Sequence, residues 1–516
     1  MMLKLLNTTL LLCLFCLASS QASAQSLPQW GNLKPGPYAV GFKVVNTYDY
    51  ARGYYPKVDF RGHRTEGESA RPMQIAIWYP AEVARDAKRM NFGEYLYLRA
   101  SNLGARPLTE ELKQEARGAM RGPFSPYYPQ GITDAEYQRV IETPTAVVKD
   151  AAPLKGSFPL VIHCAIAVSA QSVLLEYLAS YGYVVAMVPM IGASPAYYDR
   201  GEWSALSLQT LSDDIGFLYS QLRQFPNVDH QKVSVIGAIA ALGILFEMRN
   251  LQLNSIAVLE GSFEDEMKRM PGFDLTRMRI PLLNLASQRT PESELVNSLR
   301  YAERYDGLLN QVSHAETYQF PRVAKPEKAA EHVGYDLICQ YTLKFLDATL
   351  KQDASAKAFL KRSPEENGVP RNYLTMRVRP ALPPVPSESE FIALARQPKS
   401  IEEVRRVYQE VKQREPTHKI FTEETLTRAA RFYSFDGHDL ESIELFKLVV
   451  DAYPNSTRTH NYLAQLYQRV GQREAAIQHY EKVLALLPHD STLAAPQKEA
   501  LQKELAKKVS DLKGQK

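Results

Sequence analysis

Short apolar segments alternate with segments of helical spacing from residue 158 onward, and no other feature of this sequence constrains the fold as strongly. Each apolar segment is continuous rather than alternating in polarity, as expected for a strand that is buried on both faces. The alternation therefore predicts an α/β domain in which a parallel sheet is covered by helices on both faces. The predicted strands are 158–164, 183–189, 232–237, 255–260 and 280–287.

Two β-rich segments and a helical insertion precede this region. Residues 38–48 are rich in valine, tyrosine and phenylalanine, and residues 73–79 alternate in polarity until Pro80, which we expect to end the strand. Residues 92–145 have the charged, amphipathic pattern of helices joined by loops. A long helix with an apolar side, over 332–350, follows the last predicted strand.

A proline-rich passage, PALPPVP at 380–386, separates two regions of different pattern. Such a passage cannot join a helix or a sheet and behaves as a stiff linker. It predicts an α/β domain over 25–375, a linker over 376–399 and an all-α domain over 400–516.

The C-terminal region repeats itself with a constant 34-residue step. Four positions of the first repeat recur in the second: Tyr433, Gly437, Val449 and Pro454 match Tyr467, Gly471, Val483 and Pro488. The pattern resembles the tetratricopeptide repeat, in which each repeat is a pair of antiparallel helices. Residues 400–414 fit a degenerate helix before the two repeats, and residues 493–512 fit a capping helix after them. We expect the concave surface of such repeats to bind a protein or peptide partner.

The first 24 residues have the pattern of a secretory signal peptide. A lysine near the start precedes a mostly apolar stretch, and the small residues Ala22-Ser23-Ala24 form a cleavage site before Gln25. The alternative is an N-terminal membrane anchor, but the apolar stretch is short for a span of about 30 Å. We therefore expect cleavage of residues 1–24, export to the periplasm or the medium, and no stable membrane insertion afterwards.

Charge and cysteine content exclude several classes of function. The formal net charge of +4, without any basic run, gives no reason to expect nucleic acid as a partner. After cleavage only Cys164 and Cys339 remain, so a disulfide framework is excluded, whereas a single bridge and two buried thiols both stay open. No spacing of histidine, cysteine or acidic residues is typical of a metal site, and we expect neither a metal nor a cofactor.

Six segments between residues 36 and 360 carry a family resemblance. They are GPYAVGF from Gly36, IWYPA ending at Ala81, EYLASYGYVVAMVP from Glu176, KVSVIGAIAALG from Lys232, AVLEGS from Ala257 and VSHAETYQF around His314. Together they resemble the platelet-activating-factor acetylhydrolase and dienelactone-hydrolase branch of the α/β-hydrolases. The resemblance implies an α/β-hydrolase-like fold, a small acyl ligand, and a nucleophile, an acid and a histidine in that order along the chain.

The resemblance places the nucleophile at the centre of a G-x-S-x-G turn, but this chain has GAIAA there, with Ile239 at the centre. Isoleucine has no lone pair to attack a carbonyl and no proton that a histidine could remove. In the family, a glycine-rich backbone and the amide after the nucleophile stabilise the developing oxyanion. The matching positions are Ala165, Ile166 and Ala240, and the segment 163–168 contains no glycine. We therefore expect that ordinary serine-hydrolase activity has been lost.

The other two positions keep suitable residues, because the resemblance places the acid at Glu260 and the base at His314. A carboxylate that accepts the imidazole N–H could orient the histidine. The alternative is that Glu260 pairs locally and that His314 is an ordinary loop histidine. A different nucleophile could also replace the serine at the sheet edge where ligands of α/β sheets bind. The candidates are Cys164, Ser169, Ser194 and Ser262.

Two classes of function follow from these residues. The first is a non-catalytic protein that binds a ligand in the hydrolase-like pocket or a partner through the repeats. The second is an active hydrolase of short acyl esters or related small molecules, which would need a non-standard nucleophile within hydrogen-bond reach of His314. A third hypothesis joins them: the pocket binds a ligand without turnover and reports it to the repeats.

Overall fold

The chain divides into two compact units between Leu382 and Pro383, called unit 1 and unit 2 below. This division lies inside the proline-rich passage that the sequence marks as a linker. The computed structural model describes residues 27–52, 70–100, 109–119, 128, 130–165, 168–189, 205–237, 252–260, 278–287, 294–397 and 399–514.

Unit 1 contains one large sheet, which comprises eleven strands in the described residues. The strands are β1 Ala39–Asp49, β2 Arg71–Glu82, β3 Val147–Lys149, β4 Ala152–Pro153, β5 Phe158–Cys164, β6 Val184–Met187, β7 Val228–Gly237, β8 Ser255–Leu259, β9 Leu282–Ser287, β10 Arg304–Leu309 and β11 Leu374–Arg379. Their order is β11-β10-β9-β8-β7-β5-β6-β2-β1-β3, and β4 pairs with the end of β2.

The sheet is mixed: the strands predicted from residue 158 onward are parallel to one another, as expected, and antiparallel strands lie on either side of them. The five adjacent pairs from β6 through β5, β7, β8 and β9 to β10 are parallel. In contrast, β2 is antiparallel to both β1 and β6, and β11 is antiparallel to β10. The eight strands from β1 to β10, leaving out β3 and β4, follow the order of the α/β-hydrolase sheet, in which the second strand is antiparallel. The α/β-hydrolase-like fold expected from the sequence is therefore confirmed by the strand order.

Helices cover both faces of this sheet, as predicted. In unit 1 they are α1 Gly93–Ala100, α2 Glu110–Ala119, α3 Asp134–Glu142, α4 Ser172–Ser180, α5 Ala205–Leu222, α6 Glu294–Asn297, α7 Phe320–Ala324, α8 Val333–Leu350 and α9 Ala354–Lys361. Alternate residues of β5 point to opposite faces: Val161 packs with α4 and α8, whereas Leu160 and Ile162 pack with α5. Burial of continuous apolar strands on both faces explains why their sequences do not alternate.

The strand β2 differs from its sequence-based prediction. Pro80 does not end β2, which continues to Glu82, because β6 pairs only with residues 76–78 and leaves the end of β2 beyond the central ladder. Proline is tolerated where no ladder hydrogen bond needs its missing N–H. Its carbonyl oxygen instead accepts the N–H of Leu154 at 2.9 Å.

Unit 2 is a stack of antiparallel helix pairs. Its helices are α10 Glu388–Ala395, α11 Ile401–Arg414, α12 Glu423–Phe435, α13 Asp439–Ala452, α14 Thr457–Arg469, α15 Arg473–Leu486 and α16 Ala495–Gly514. The pairs α12–α13 and α14–α15 are the two predicted repeats, and α10–α11 is an additional pair of which the sequence predicted only the second helix. Buried Ser442 lets α13 approach α12 closely and donates its hydroxyl to the carbonyl oxygen of Ala430 at 2.8 Å.

The predicted linker over 376–399 is too long at both ends. Its first residues complete β11, which pairs with β10, and its last residues contain α10, whose Phe391 and Ala395 are buried in unit 2. The proline-rich pattern hides these short elements because they border it directly. In the described parts of both units, no helix combines the length and the apolar character needed to cross a membrane.

Candidate active site

Glu260 is fixed at the carboxyl end of β8, between two strand ends. Its N–H donates to the carbonyl oxygen of Leu285 at 2.9 Å, and its Oε1 accepts the backbone N–H of Ser287 at the end of β9. The φ angle of Glu260 is 51°, in the left-handed region, where a non-glycine residue is strained by about 1–3 kcal/mol. The side chain is 4 % exposed. Burial and two strand ends thus define where this carboxylate points.

His314 meets the same carboxylate from a loop 54 residues later in the chain. Its Nδ1 lies 3.2 Å from Glu260 Oε2. His314 begins a short 3₁₀ helix, in which the Thr317 hydroxyl donates to the His314 carbonyl oxygen at 2.6 Å. When the ring is neutral, this pairing places the proton on Nδ1 and leaves Nε2 as an acceptor. Nε2 makes no hydrogen bond with the described residues, and the side chain is 58 % exposed.

The surroundings favour a protonatable imidazole. The hydrogen bond with Glu260 raises the pKa of His314, while partial burial opposes the rise. Tyr318 lies edge-on to the imidazole with ring centroids 5.3 Å apart, and its own pKa is raised by burial and by Glu260. A histidine held by a buried carboxylate in this way can act as a general base or a general acid.

Two glutamines tie the histidine loop to the segment that follows β5. Gln319 accepts the N–H of Val173 at 2.6 Å and donates to the carbonyl oxygen of Ser169 at 2.6 Å. Gln171 donates from the other side to the carbonyl oxygen of Thr317 at 3.0 Å. The sequence analysis did not identify either side chain. The one feature that could have pointed to Gln319 is its place in the VSHAETYQF segment. They hold the His314 loop beside the segment where the resemblance predicts oxyanion donors.

The strand that should carry the nucleophile ends at Gly237. Its φ angle is 148°, and a Cβ atom there would lie 2.3 Å from the carbonyl oxygen of Cys164 on β5, so only glycine fits. The predicted nucleophile position Ile239 follows two residues later and lies outside the described residues. Four other candidate positions also lie outside them: Ile166, Ser194, Ala240 and Ser262.

The described oxyanion and nucleophile candidates have different surroundings. Ala165 is half-buried directly after β5, at the sheet edge. Cys164 packs in the core between the sheet and α5, and burial raises the pKa of its thiol to about 12. A thiol in this environment is a poor nucleophile because the thiolate is the reactive form. Ser169 is buried in a 3₁₀ turn, and Val168 beside it packs in the core.

Neither remaining cysteine nor His163 joins the pair of Glu260 and His314. Cys164 and Cys339 are both free and buried, so no disulfide links them. His163 is buried in β5, where burial lowers its pKa to about 3, and its Nδ1 has no hydrogen-bond partner in the described part of the chain. Over the same residues, no group of three or more histidine, cysteine, aspartate and glutamate side chains could hold a metal ion.

Comparisons with known proteins bear on both units. A family model described as the tetratricopeptide repeat matches residues 457–490, which span α14 and α15. No curated protein sequence matches the chain. Among solved structures, a ferulic acid esterase from Streptomyces cinnamoneus is similar, at 17 % sequence identity and a TM-score of 0.45. The match covers 67 % of this chain and 97 % of the esterase, and at this distance it carries no argument about activity.

Proposed function

We propose that unit 1 is an α/β-hydrolase-like domain that binds a small acyl ligand without ordinary serine-hydrolase activity, and that unit 2 binds a protein partner. The observation that carries the first part is the combination of a formed Glu260–His314 pair with isoleucine at position 239. His314 can accept a proton, but the residue at the expected nucleophile position is isoleucine, which has no hydroxyl to donate one.

The chemistry of the neighbouring residues supports this proposal. Two alternative nucleophiles lie in the described part of the chain. Ser169 is buried in a 3₁₀ turn, and the thiol of Cys164 is buried with its pKa raised to about 12. The segment 163–168 lacks the glycines that let backbone amides approach an oxyanion closely. Two parts of the hydrolytic machinery are therefore unsuited to acyl transfer, while the acid–base part is intact.

The proposals for the ligand class and for the location of the protein rest on the sequence. The segments around Lys232 and His314 resemble the platelet-activating-factor acetylhydrolase and dienelactone-hydrolase branch, which suggests a short acyl ester or a related small molecule as the ligand. Residues 1–24 have the pattern of a cleaved leader, and we propose that the protein acts in the periplasm or the medium.

A second candidate function is hydrolysis of short acyl esters with a non-standard nucleophile. The contact of 3.2 Å between His314 Nδ1 and Glu260 Oε2 favours it, because this is the arrangement that activates a nucleophile in hydrolases. Ser262 would be the first residue to test, since it follows Glu260 by two positions in the sequence.

Fluorophosphonate labelling of the mature protein, residues 25–516, distinguishes the two functions. We expect neither labelling nor turnover of short-chain nitrophenyl esters in the native protein. The variant Ile239→Ser should gain labelling, because it supplies a hydroxyl at the expected nucleophile position while the Glu260–His314 pair stays intact. The control Ile239→Ala removes the same bulk without adding a nucleophile and should stay unlabelled.

Turnover by the native protein that is lost in His314→Ala would refute the proposal and support the second function. Ser262→Ala and Cys164→Ala would then identify the nucleophile. Labelling of Ile239→Ser that disappears when His314→Ala is added would show that the pair is competent and that only the nucleophile is missing.

A further inference from the structure

The first repeat of unit 2 exposes three large apolar side chains close together in sequence. Phe432 and Phe435 on α12 are 59 % and 76 % exposed, and Leu440, which follows the turn after α12, is 63 % exposed. The matching positions of the second repeat, 34 residues later, are buried Leu466 and the charged residues Arg469 and Glu474. At these three positions the first repeat therefore exposes apolar side chains, whereas the second repeat has a buried or a charged side chain.

Helix packing explains this difference. In the second repeat, α14 packs along α13, the helix that precedes it. Phe446 of α13 stacks on Tyr462 with ring centroids 5.6 Å apart, and Asp439 of α13 forms an ion pair with Arg469. The helix that precedes α12 is α11, which packs against α13 instead, and α12 is contacted by α10, which has only eight residues. The face of α12 that carries Phe432 and Phe435 thus lacks the cover that α14 has.

The uncovered surface is cationic as well as apolar. Arg428, Arg431, Phe432 and Phe435 lie on one face of α12, because their spacing corresponds to neighbouring turns of a helix. The Arg431 guanidinium lies 5.4 Å from the centre of the Phe435 ring and 5.2 Å from that of Tyr462. It forms no ion pair within the described residues, whereas Arg428 pairs with Glu424. We call Arg431, Phe432, Phe435 and Leu440 the α12 patch.

We propose that the α12 patch binds an acidic amphipathic helix of a partner protein. The helix would lie on α12 as α13 lies on α14, with apolar side chains on the two phenylalanines and a carboxylate on Arg431. The chain itself shows the chemistry that fits such a surface, because α13 meets α14 through an aromatic ring and a carboxylate. Burying the exposed phenylalanines and pairing the Arg431 guanidinium with a carboxylate are both favourable. Helix-in-groove recognition likewise buries the apolar face of an amphipathic helix.

This proposal rests on the partner-binding part of the proposed function, and the two can fail separately. Fluorophosphonate labelling reports only on unit 1, whereas the test of the α12 patch is a binding measurement. The probe is a fluorescein-labelled peptide with the sequence DLESIELFKLVVDA, which copies α13 and carries four acidic side chains and one lysine. Its anisotropy is titrated with the full chain, and a scrambled peptide of the same composition is the control.

The decisive variant combines Phe435→Arg with Leu440→Glu. It copies charged residues from the equivalent positions of the second repeat and leaves the net charge unchanged, so unit 2 should fold normally. We expect it to weaken peptide binding at least tenfold. Arg431→Gln should weaken binding several-fold and reduce its dependence on salt, because it removes the charge pair. Glu474→Gln, an exposed position of the second repeat, should leave affinity within twofold.

Three results would overturn the proposal. The first is undetectable binding of the peptide up to 1 mM, a concentration at which even weak helix docking is measurable. The second is equal affinity for the double variant and the native chain, which would place the peptide elsewhere. The third is a native dimer that the double variant converts to a monomer in sedimentation, which would assign the α12 patch to a second copy of this chain.

Discussion

Replacing Glu176 with glutamine should remove a pH-dependent loss of stability from unit 1. Glu176 lies on α4, is 1 % exposed, and accepts hydrogen bonds from the Tyr95 hydroxyl at 2.9 Å, the Ala146 N–H at 2.9 Å and the Trp30 indole at 3.4 Å. The Tyr95 oxygen accepts in turn from the indole of Trp78 at 2.8 Å. Burial raises the pKa of Glu176 to about 7 from an ordinary value of 4.5, although the three donors act against the rise.

The sign of the effect follows from which state binds the proton. Between pH 4.5 and about 7 the folded protein holds a proton on Glu176 that the unfolded chain has lost, so stability falls as the pH rises. The favourable contribution is complete below pH 4.5 and is lost above pH 7. At about 1.4 kcal/mol per pH unit, the loss across this interval amounts to about 3 kcal/mol. Glutamine does not titrate, and its amide oxygen can still accept two of the hydrogen bonds.

Urea unfolding followed by tryptophan fluorescence measures this effect. All three tryptophans of the chain, Trp30, Trp78 and Trp203, belong to unit 1, so the signal reports on that unit alone. The free energy of unfolding of Glu176→Gln, relative to the native protein, should rise by about 3 kcal/mol between pH 4.5 and pH 8. Other titrating groups cancel in this difference. A difference that stays constant with pH would refute the reasoning, because Glu176 would then titrate as an ordinary exposed carboxylate.

Three further predictions concern the site and the repeats. In Glu260→Gln the pKa of His314 should fall, since the carboxylate raises it, and an unchanged imidazole titration by NMR would contradict the pairing. Gly237→Ala should destabilise unit 1 by about 3 kcal/mol or more in urea unfolding, because the added Cβ meets the Cys164 carbonyl and the φ angle is unfavourable; a loss below about 1 kcal/mol would count against this packing. In unit 2, Ser442→Leu should cost about 1–3 kcal/mol by overpacking, measured by thermal unfolding followed by circular dichroism. Ser442→Ala should fold like the second repeat, which has alanine at that position, and an equal loss in both variants would refute the overpacking argument.

The sequence predicted those elements whose burial leaves a pattern. Continuous apolar strands such as β5 were identified from sequence because both faces are buried, and the repeats because their period is constant. It missed β10, whose sequence RYDGLL contains an arginine and an aspartate, and β11, whose exposed residues are a threonine and two arginines. Both strands lie at one end of the sheet, where pairing depends on a partner strand distant in sequence, and hydrophobic periodicity does not record that partner.

The candidate site, too, was predicted from the sequence only in part. The order of nucleophile, acid and base predicted that Glu260 and His314 would meet, and their side chains are in contact. Nothing in the sequence predicted that Gln319 and Gln171 would fasten the histidine loop to the segment after β5. Polar contacts between two loops have no period and no composition of their own, so only the folded chain reveals them.

The position of Glu260 also explains how an acid–base pair can be present in a chain that has isoleucine at the expected nucleophile position. One carboxylate oxygen accepts the N–H of Ser287 and the other faces His314, so the same residue joins two strand ends and orients the imidazole. The first role belongs to the fold, because a buried N–H left without an acceptor costs about 1–3 kcal/mol. Only the second role serves chemistry. The presence of glutamate is therefore weak support for catalysis, whereas the open Nε2 of His314 is the feature whose function the labelling experiment decides.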